Sequence, residues 1–296
     1  MINLSIKIKK LYLKNITEAV KWGSCQLKIA EILNYKKEAQ LLLAHVMDFS
    51  YLEIIIENKL KLNINQINNF VNYIYRRANH EPFAYIVGYK EFMGFNFLVD
   101  KNVFIPRCDT EIIVEQVLKF MPDQYKKYKC LDMCTGTGCI AISLALMRLN
   151  ILVDAVDICK DSIMVLKKNI KQFKLKSRVK AICSDLLNSY VVDKQLDFII
   201  ANPPYIENND YLKLKSEVRD FGPKKALVSS YSNSISCYKI LIENSSKYLN
   251  NNGKLIFEFG FKQENELSKL SNKNFKSPVF FKDYSGIIRG CIFEKR

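Results

Sequence analysis

From residue 129 onward, short apolar runs alternate with amphipathic stretches, and most of the runs stop at a polar residue. Runs 129–132, 152–156, 179–183, 197–201 and 254–259 read as strands, and 140–149, 161–173 and 235–249 as helices. A last pair, 279–284 and 290–294, reads as a terminal hairpin. Strands that alternate with helices predict an α/β fold, a mostly parallel sheet covered by helices on both faces. Ligands of such sheets bind beyond the strands' carboxyl ends. Asp132, Asp157, Asp185 and Asn202 stand at four of those ends.

The first end continues as Asp132-Met133-Cys134-Thr135-Gly136-Thr137-Gly138, a strand-to-helix turn. Its glycines let backbone approach a ligand closely. It is neither a P-loop, since no Gly-Lys-Ser/Thr follows, nor a dinucleotide fingerprint. Asp157 lies where an acid accepts both hydroxyls of a ribose. Asp185 can accept from an exocyclic adenine amine, and Leu186 can pack on the ring. A nucleoside cofactor other than NAD follows, and S-adenosyl-L-methionine fits, with Asp132 near its cationic methionine end.

The fourth end is Asn202-Pro203-Pro204-Tyr205. Each proline fixes its own φ, removes a donor and holds the preceding residue extended. The loop is therefore stiff and rich in carbonyl acceptors, and the Asn side chain adds one more. Such a pocket suits a planar NH2 group, with Tyr205 offering a flat face beside it.

Residues 1–80 read as a small helical bundle. Thr17 and Glu18 open a helix through Ala30 and Leu33; Ala39, Leu42, Leu43, Val46 and Met47 repeat at helical spacing; Ile67, Phe70, Val71 and Ile74 share one face of a third helix. Gly23 is the exception in a stretch nearly devoid of glycine, and His45 falls inside an apolar stripe, as a packed or rim residue. After Glu81-Pro82, the alternating stretch 89–99, a turn at Asp100-Lys101-Asn102 and a return strand 103–105 predict a connecting β-hairpin over 81–110. Asp109 or Thr110 then caps a helix over 111–120. The domains expected are thus 1–80, 81–110 and 111–296.

The chain has 296 residues, 49% of them hydrophobic, enough for a sizeable core. Its net charge of +15 favours an anionic partner, but the basic residues are scattered, as pervasive Lys/Asn/Ile usage leaves them. Nine cysteines include the close trio Cys130, Cys134 and Cys139, but no C-x-x-C spacing exists and His45 and His80 lie far from that trio, which argues against a zinc or iron–sulfur site and for reduced thiols in a cytoplasmic protein. No apolar run nears the ~20 residues of a membrane span, so no membrane association is expected.

Over residues 15–296 the chain resembles the release-factor glutamine N5-methyltransferases, the HemK/PrmC family. Asn202-Pro203-Pro204-Tyr205-Ile206 is similar to that family's substrate motif, and 132–138 to its first methyltransferase motif. The stretches 81–88, Phe104-Ile105-Pro106-Arg107 and Asp109-Thr110-Glu111 resemble its hairpin region, and Glu258-Phe259-Gly260, Gln263, Asp283-Tyr284 and Arg289 its later motifs. The resemblance implies a Rossmann-like class I methyltransferase domain behind a helical domain that docks the substrate. Asp132, Cys134, Thr135, Gly136, Thr137, Gly138, Asp157, Asp185, Leu186 and Asn202 would hold S-adenosyl-L-methionine, with S-adenosyl-L-homocysteine as product. Asn202, Pro203, Pro204 and Tyr205 would bind the glutamine of a Gly-Gly-Gln motif in class 1 peptide chain release factors, in support of translation termination. Asn202, Pro203 and Tyr205 would carry catalysis, without a metal, in a monomer with no stable nucleic-acid partner. Three positions depart from the family: Cys134 replaces its first motif glycine, Cys108 a proline, and Gly222 a glutamate before Pro223. A side chain at 134 crowds the cofactor unless its φ is negative and its thiol points away. The rival reading is a nucleic-acid amino-methyltransferase acting on adenine N6 or guanine N2, which shares cofactor, fold and motif but needs room for base flipping. A cofactor-binding protein without catalysis is the other, and it has no use for the Asn-Pro-Pro-Tyr motif.

Overall fold

The computed structural model of the chain describes residues 13–188, 190, 195–228, 234–270 and 273–296. It divides into two compact units: the chain up to Gly88 together with Ser216–Phe221, and Tyr89–Lys215 together with Gly222–Arg296. The stretch expected as a linker is therefore shared, with its residues up to Gly88 in the first unit and Tyr89 onward in the second. Residues 1–12 of the expected helical domain lie outside the described residues.

The first unit is helical: α1 (Ile16–Ile29), α2 (Tyr35–Met47), α3 (Tyr51–Ile56), α4 (Ile64–Ala78) and the short α5 (Phe83–Val87). α4 begins with a reciprocal cap. Asn63 Oδ1 accepts the Gln66 N–H and Gln66 Oε1 accepts the Asn63 N–H, both at 2.9 Å. Its buried stripe is the expected one, Ile67, Phe70, Val71 and Ile74. Gly23 explains itself here. A Cβ at that position would stand 2.7 Å from Phe70 Cζ and 2.9 Å from Ile74 Cδ1, so only glycine lets α1 lie this close to α4. His45 is half-buried and tilted against Tyr73, its pKa lowered by burial. Buried Arg77 binds Glu38 of α2 and Glu217 of the Ser216–Phe221 segment.

The second unit opens with a hairpin, β1 (Tyr89–Phe92) and β2 (Phe95–Leu98). The turn is Met93-Gly94, with φ of +52° and +77°, the left-handed pair that a two-residue hairpin demands. The expected turn at 100–102 forms, with Val103 N–H donating to the Asp100 carbonyl (3.1 Å) and Asn102 N–H to Asp100 Oδ1 (2.9 Å), but no return strand follows at 103–105 and the turn closes no hairpin. Neither Asp109 nor Thr110 caps the next helix, because α6 starts earlier (Cys108–Lys119), with Arg107 at the cap position.

Then come β3 (Tyr128–Met133), α7 (Cys139–Met147), β4 (Ile151–Asp157), α8 (Lys160–Gln172), β5 (Val179–Cys183) and β6 (Leu196–Ala201). Short helices α9 (Asn208–Tyr211), α10 (Ser216–Arg219) and α11 (Lys224–Leu227) precede α12 (Ser234–Ser245), β7 (Leu249–Glu258), α13 (Glu264–Lys269), β8 (Val279–Lys282) and β9 (Ile288–Glu294). The sheet order is β5-β4-β3-β6-β7-β9-β8. β3 to β7 are parallel, and β9 runs antiparallel to both β7 and β8. Because β3 neighbours β4 on one side and β6 on the other, the order reverses between β3 and β6. That places a crevice at their carboxyl ends, where Asp132 and Asn202 stand.

Candidate functional site

A cavity opens at that crevice, walled by the glycine turn, the ends of β4, β5 and β6, and the irregular stretch before α6. Cys134, Thr135, Gly136, Thr137, Asp157, Asp185, Leu186, Asn202, Pro203, Pro204 and Tyr205 all line it. Asp132 and Gly138 stand behind this wall rather than on it. Asp132 is wholly buried, and a Cβ at Gly138 would meet Leu166 Cδ1 at 2.3 Å.

The glycine turn is held from two sides. Thr135 N–H donates to the Val156 carbonyl (3.0 Å), and Gly136 N–H donates to Asp157 Oδ2 (2.9 Å). Gly136 and Gly138 have φ of +54° and +82°, a region open to glycine without steric cost. Around Gly136 nothing lies within 4 Å of where a Cβ would be. Asn169, fully buried on α8, ties the turn to the hairpin. Its Nδ2 donates to the Thr137 and Leu98 carbonyls, and its Oδ1 accepts from Leu98 N–H.

Cys134 has φ of +57°, so the condition under which its side chain leaves room is not met. The residue borders the cavity while packing against the core, and burial pushes its thiol pKa up. All nine cysteines are free.

Two acids here differ in how their oxygens are used. Asp132 Oδ2 accepts from the Thr135 hydroxyl (2.6 Å) and Ala141 N–H (3.1 Å), while Oδ1 is buried with no partner among the described residues. Burial lifts its pKa to about 7 against those two bonds. Asp157 also rises through burial, and its Oδ1 and Oδ2 accept the N–H groups of Cys159 and Gly136. Each of those oxygens keeps a second lone pair. Asp185 is half-buried and takes the Asn188 amide on Oδ2 (3.1 Å). Leu186, buried with φ of +47°, presents its side chain to the cavity beside it.

On the acceptor side, Asn202 Nδ2 donates toward Thr110 Oγ1 and Glu258 Oε2, both at 3.1 Å. Thr110 donates its own hydrogen to the same Glu258 oxygen (2.8 Å), and the Tyr205 hydroxyl donates to Glu258 Oε1 (3.1 Å). Glu258 is 3% exposed, and burial raises its pKa against the bonds from Thr110 and Tyr205. The Tyr205 hydroxyl pKa is raised by burial and by that carboxylate. Arg107, exposed at the rim, stacks its guanidinium 5.0 Å from the Phe104 ring. Thr110 and Asn169 escape a reading that looks only for strand-end residues, because both lie on helices. The signal for Glu258 was available, because it is the charged residue closing the apolar run of β7.

The reversed strand order, the glycine turn and the acids beyond β3 and β4 define a class I methyltransferase. Residues 97–218 match the Methyltransferase small domain family, and residues 18–88 match the PrmC N-terminal domain family. The chain is 34% identical to the release factor glutamine methyltransferase of Clostridium acetobutylicum, over 86% of this chain and 90% of that protein. It belongs to the release factor glutamine methyltransferase family. It is also 35% identical to the bifunctional methyltransferase of Rickettsia prowazekii, over 79% of this chain and 48% of that one. The chain spans about half the length of the bifunctional relatives it matches. Among solved structures, the hMettl16 catalytic domain in complex with a MAT2A 3'UTR hairpin superposes with a TM-score of 0.54 at 15% identity, covering 78% of this chain and 80% of that one, a likeness of fold alone. Among the described residues, no helix is long and apolar enough to cross a membrane.

Proposed function

We propose that this chain methylates the side-chain amide nitrogen (N5) of the glutamine in the Gly-Gly-Gln motif of a class 1 peptide chain release factor, with S-adenosyl-L-methionine as donor. The observation that carries the reading is the orientation of Asn202. Its NH2 is turned to Thr110 and Glu258, so its carbonyl oxygen is the atom left to meet a donor at the cavity. Release factor glutamine methyltransferases at 34–35% identity support the choice of acceptor.

The residues around the glycine turn fit the cofactor. The open space over Gly136 admits close approach, and Asp157 retains lone pairs for ribose hydroxyls. Asp132 stands buried behind the turn, so its carboxylate would bear on a cationic amino acid end through its charge rather than by contact. Asp185 and Leu186 would face the adenine, with Thr135, Thr137 and Cys134 completing the wall. S-adenosyl-L-methionine, when bound, supplies an electrophilic methyl group on a sulfonium.

The protein's task is the other half, because an amide nitrogen is a poor nucleophile whose lone pair is shared with its carbonyl. Asn202 Oδ1 and the Pro203 carbonyl accept the two N–H hydrogens of the substrate amide. That polarises the nitrogen and turns its lone pair toward the methyl group. Tyr205 holds the amide plane, its own ring anchored through Glu258. Rate comes from orientation and placed acceptors, and water takes the released proton. In the helical unit, Leu52, Ile55 and Ile56 of α3 are exposed, and this apolar face supports a docking role toward the release factor.

The test is labelled S-adenosyl-L-methionine offered with purified release factor, its Gln→Ala form, rRNA and DNA. Label in the intact factor alone is expected. Label in nucleic acid and none in the factor would overturn the reading in favour of an amino-methyltransferase of bases.

A further inference from the structure

We propose that Glu258 is a positioning residue: its ionised carboxylate holds the Asn202 amide with the carbonyl oxygen toward the cavity, and fixes Tyr205 beside it. The proposal deepens the reading above and rests on it.

Three donors converge on one buried carboxylate. Thr110 Oγ1, Asn202 Nδ2 and Glu258 Oε2 form a closed triangle of 2.8, 3.1 and 3.1 Å, and the Tyr205 hydroxyl takes the other carboxylate oxygen. The register explains the meeting. Ala201 of β6 pairs with Phe257 of β7, so the residues that follow, Asn202 and Glu258, leave their strands side by side.

Polarity within the triangle runs one way. An ionised carboxylate only accepts, so Thr110 spends its hydrogen on Glu258 and offers its oxygen lone pair to Asn202. With the amide turned over, Asn202 Oδ1 would face two oxygens that have no hydrogen left to give. That orientation is excluded while Glu258 is charged. A protonated Glu258 becomes a donor and lets the amide turn, bringing an NH2 to the cavity. An NH2 cannot accept the substrate's N–H.

The charge is not there for stability. No ion pair with Glu258 is among those of the described residues, and a buried charge held only by neutral donors costs more than an apolar side chain would. The groups that bear on its ionisation are Thr110 and Asp109 of α6, Tyr205 after β6 and Arg289 of β9. Burial outweighs them, and the carboxyl pKa is raised from its ordinary value.

The experiment compares the full chain with Glu258→Gln, using labelled S-adenosyl-L-methionine and purified release factor across the acid limb of the pH profile. Glutamine keeps shape but can donate or accept, so it permits both amide orientations. The variant is expected to lose roughly 10- to 100-fold in kcat, with KM for the factor and Kd for the cofactor within about twofold of the parent. The parent's kcat should fall as pH drops through the Glu258 titration, and that limb should vanish in the variant. Independently of turnover, the Asn202 side-chain NH2 resonances should shift with the same titration in the parent and stay still in Glu258→Gln. Unchanged kcat with an unchanged acid limb overturns the proposal. So does a loss that comes with weakened cofactor binding, a lowered Tm and an unaltered pH profile. If Glu258→Gln does not fold, Thr110→Val carries the test. Reduced kcat and a displaced Asn202 resonance support the proposal, and parent-like values contradict it. Should the parent methylate nucleic acid instead of the factor, the reading of the substrate fails by itself, and the same comparison on that substrate still decides the role of Glu258.

Discussion

Two buried carboxylates stand at the same edge of the sheet and are used in opposite ways. Asp132, ending β3, spends one oxygen on the Thr135 hydroxyl and Ala141 N–H and leaves the other without a partner among the described residues. Glu258, ending β7, has both oxygens occupied by the protein's own donors. An unmet buried lone pair is costly, and the cost shows as a carboxyl whose pKa burial lifts to about 7. A fully met carboxylate is prepared to hold its neighbours still. Under the proposed function, Asp132 would answer a cationic ligand by its charge and Glu258 would aim the dipoles that meet the acceptor.

The sharpest way to separate the two sides is Asn202→Ala. It removes the aimed acceptor, and kcat should fall by roughly 10²- to 10³-fold while cofactor Kd, measured by calorimetry, stays near that of the parent. Equal turnover with normal cofactor binding would break the assignment. Asp132→Asn is the mirror image. Loss of the carboxylate charge behind the glycine turn should weaken cofactor binding by about 10- to 100-fold, with the saturated rate less affected.

Acid dependence sharpens the contrast further. The folded pKa of Asp132, raised to about 7 by burial, exceeds that of the unfolded chain. Its protonated form therefore stabilises the ligand-free protein below the ordinary carboxylate range, and that stability is lost as pH rises through about 7. A cationic ligand favours the ionised form, so cofactor affinity should move the other way. It should gain up to about tenfold per pH unit on the acid side and level off above the titration. Thermal melts with and without cofactor on either side of neutrality would show the ligand-free Tm falling while the ligand-induced shift grows. Asp132→Asn should flatten both trends.

Two smaller effects follow. A charge on the exposed face of α3, Ile56→Lys, should raise KM for the release factor by roughly 3- to 10-fold with kcat and Tm unchanged. An unaltered KM would deny that face a docking role. Cys134→Gly removes a non-glycine residue at φ of +57° and a side chain bordering the cavity. Cofactor affinity should rise by a few-fold at most, about 1 kcal/mol.

The sheet was legible in the sequence because its parallel strands are buried on both faces and read as unbroken apolar runs, punctuated by polar residues at their ends. Asp157, Asp185 and Asn202 declare themselves by that punctuation. The hairpin was read one turn too late, since Met93-Gly94 lacks the Asn-Gly signature, while the turn at Asp100-Lys101-Asn102 forms but joins no strand pair. Helices of four to six residues, such as α3 and α9 to α11, are too short to show a period. The hydrogen bonds around Asn202 were not legible as a network, because Thr110 and Glu258 lie 148 residues apart in the chain and meet only where the first turn of α6 packs at the end of β7.

The most direct measurement is peptide mapping by mass spectrometry of a class 1 release factor after incubation with this protein and S-adenosyl-L-methionine. A single added methyl on the glutamine of the Gly-Gly-Gln peptide, absent when Asn202→Ala replaces the parent, is the expected result. An unmodified Gly-Gly-Gln peptide, with methyl groups recovered from nucleic acid or from another residue, would contradict the assignment.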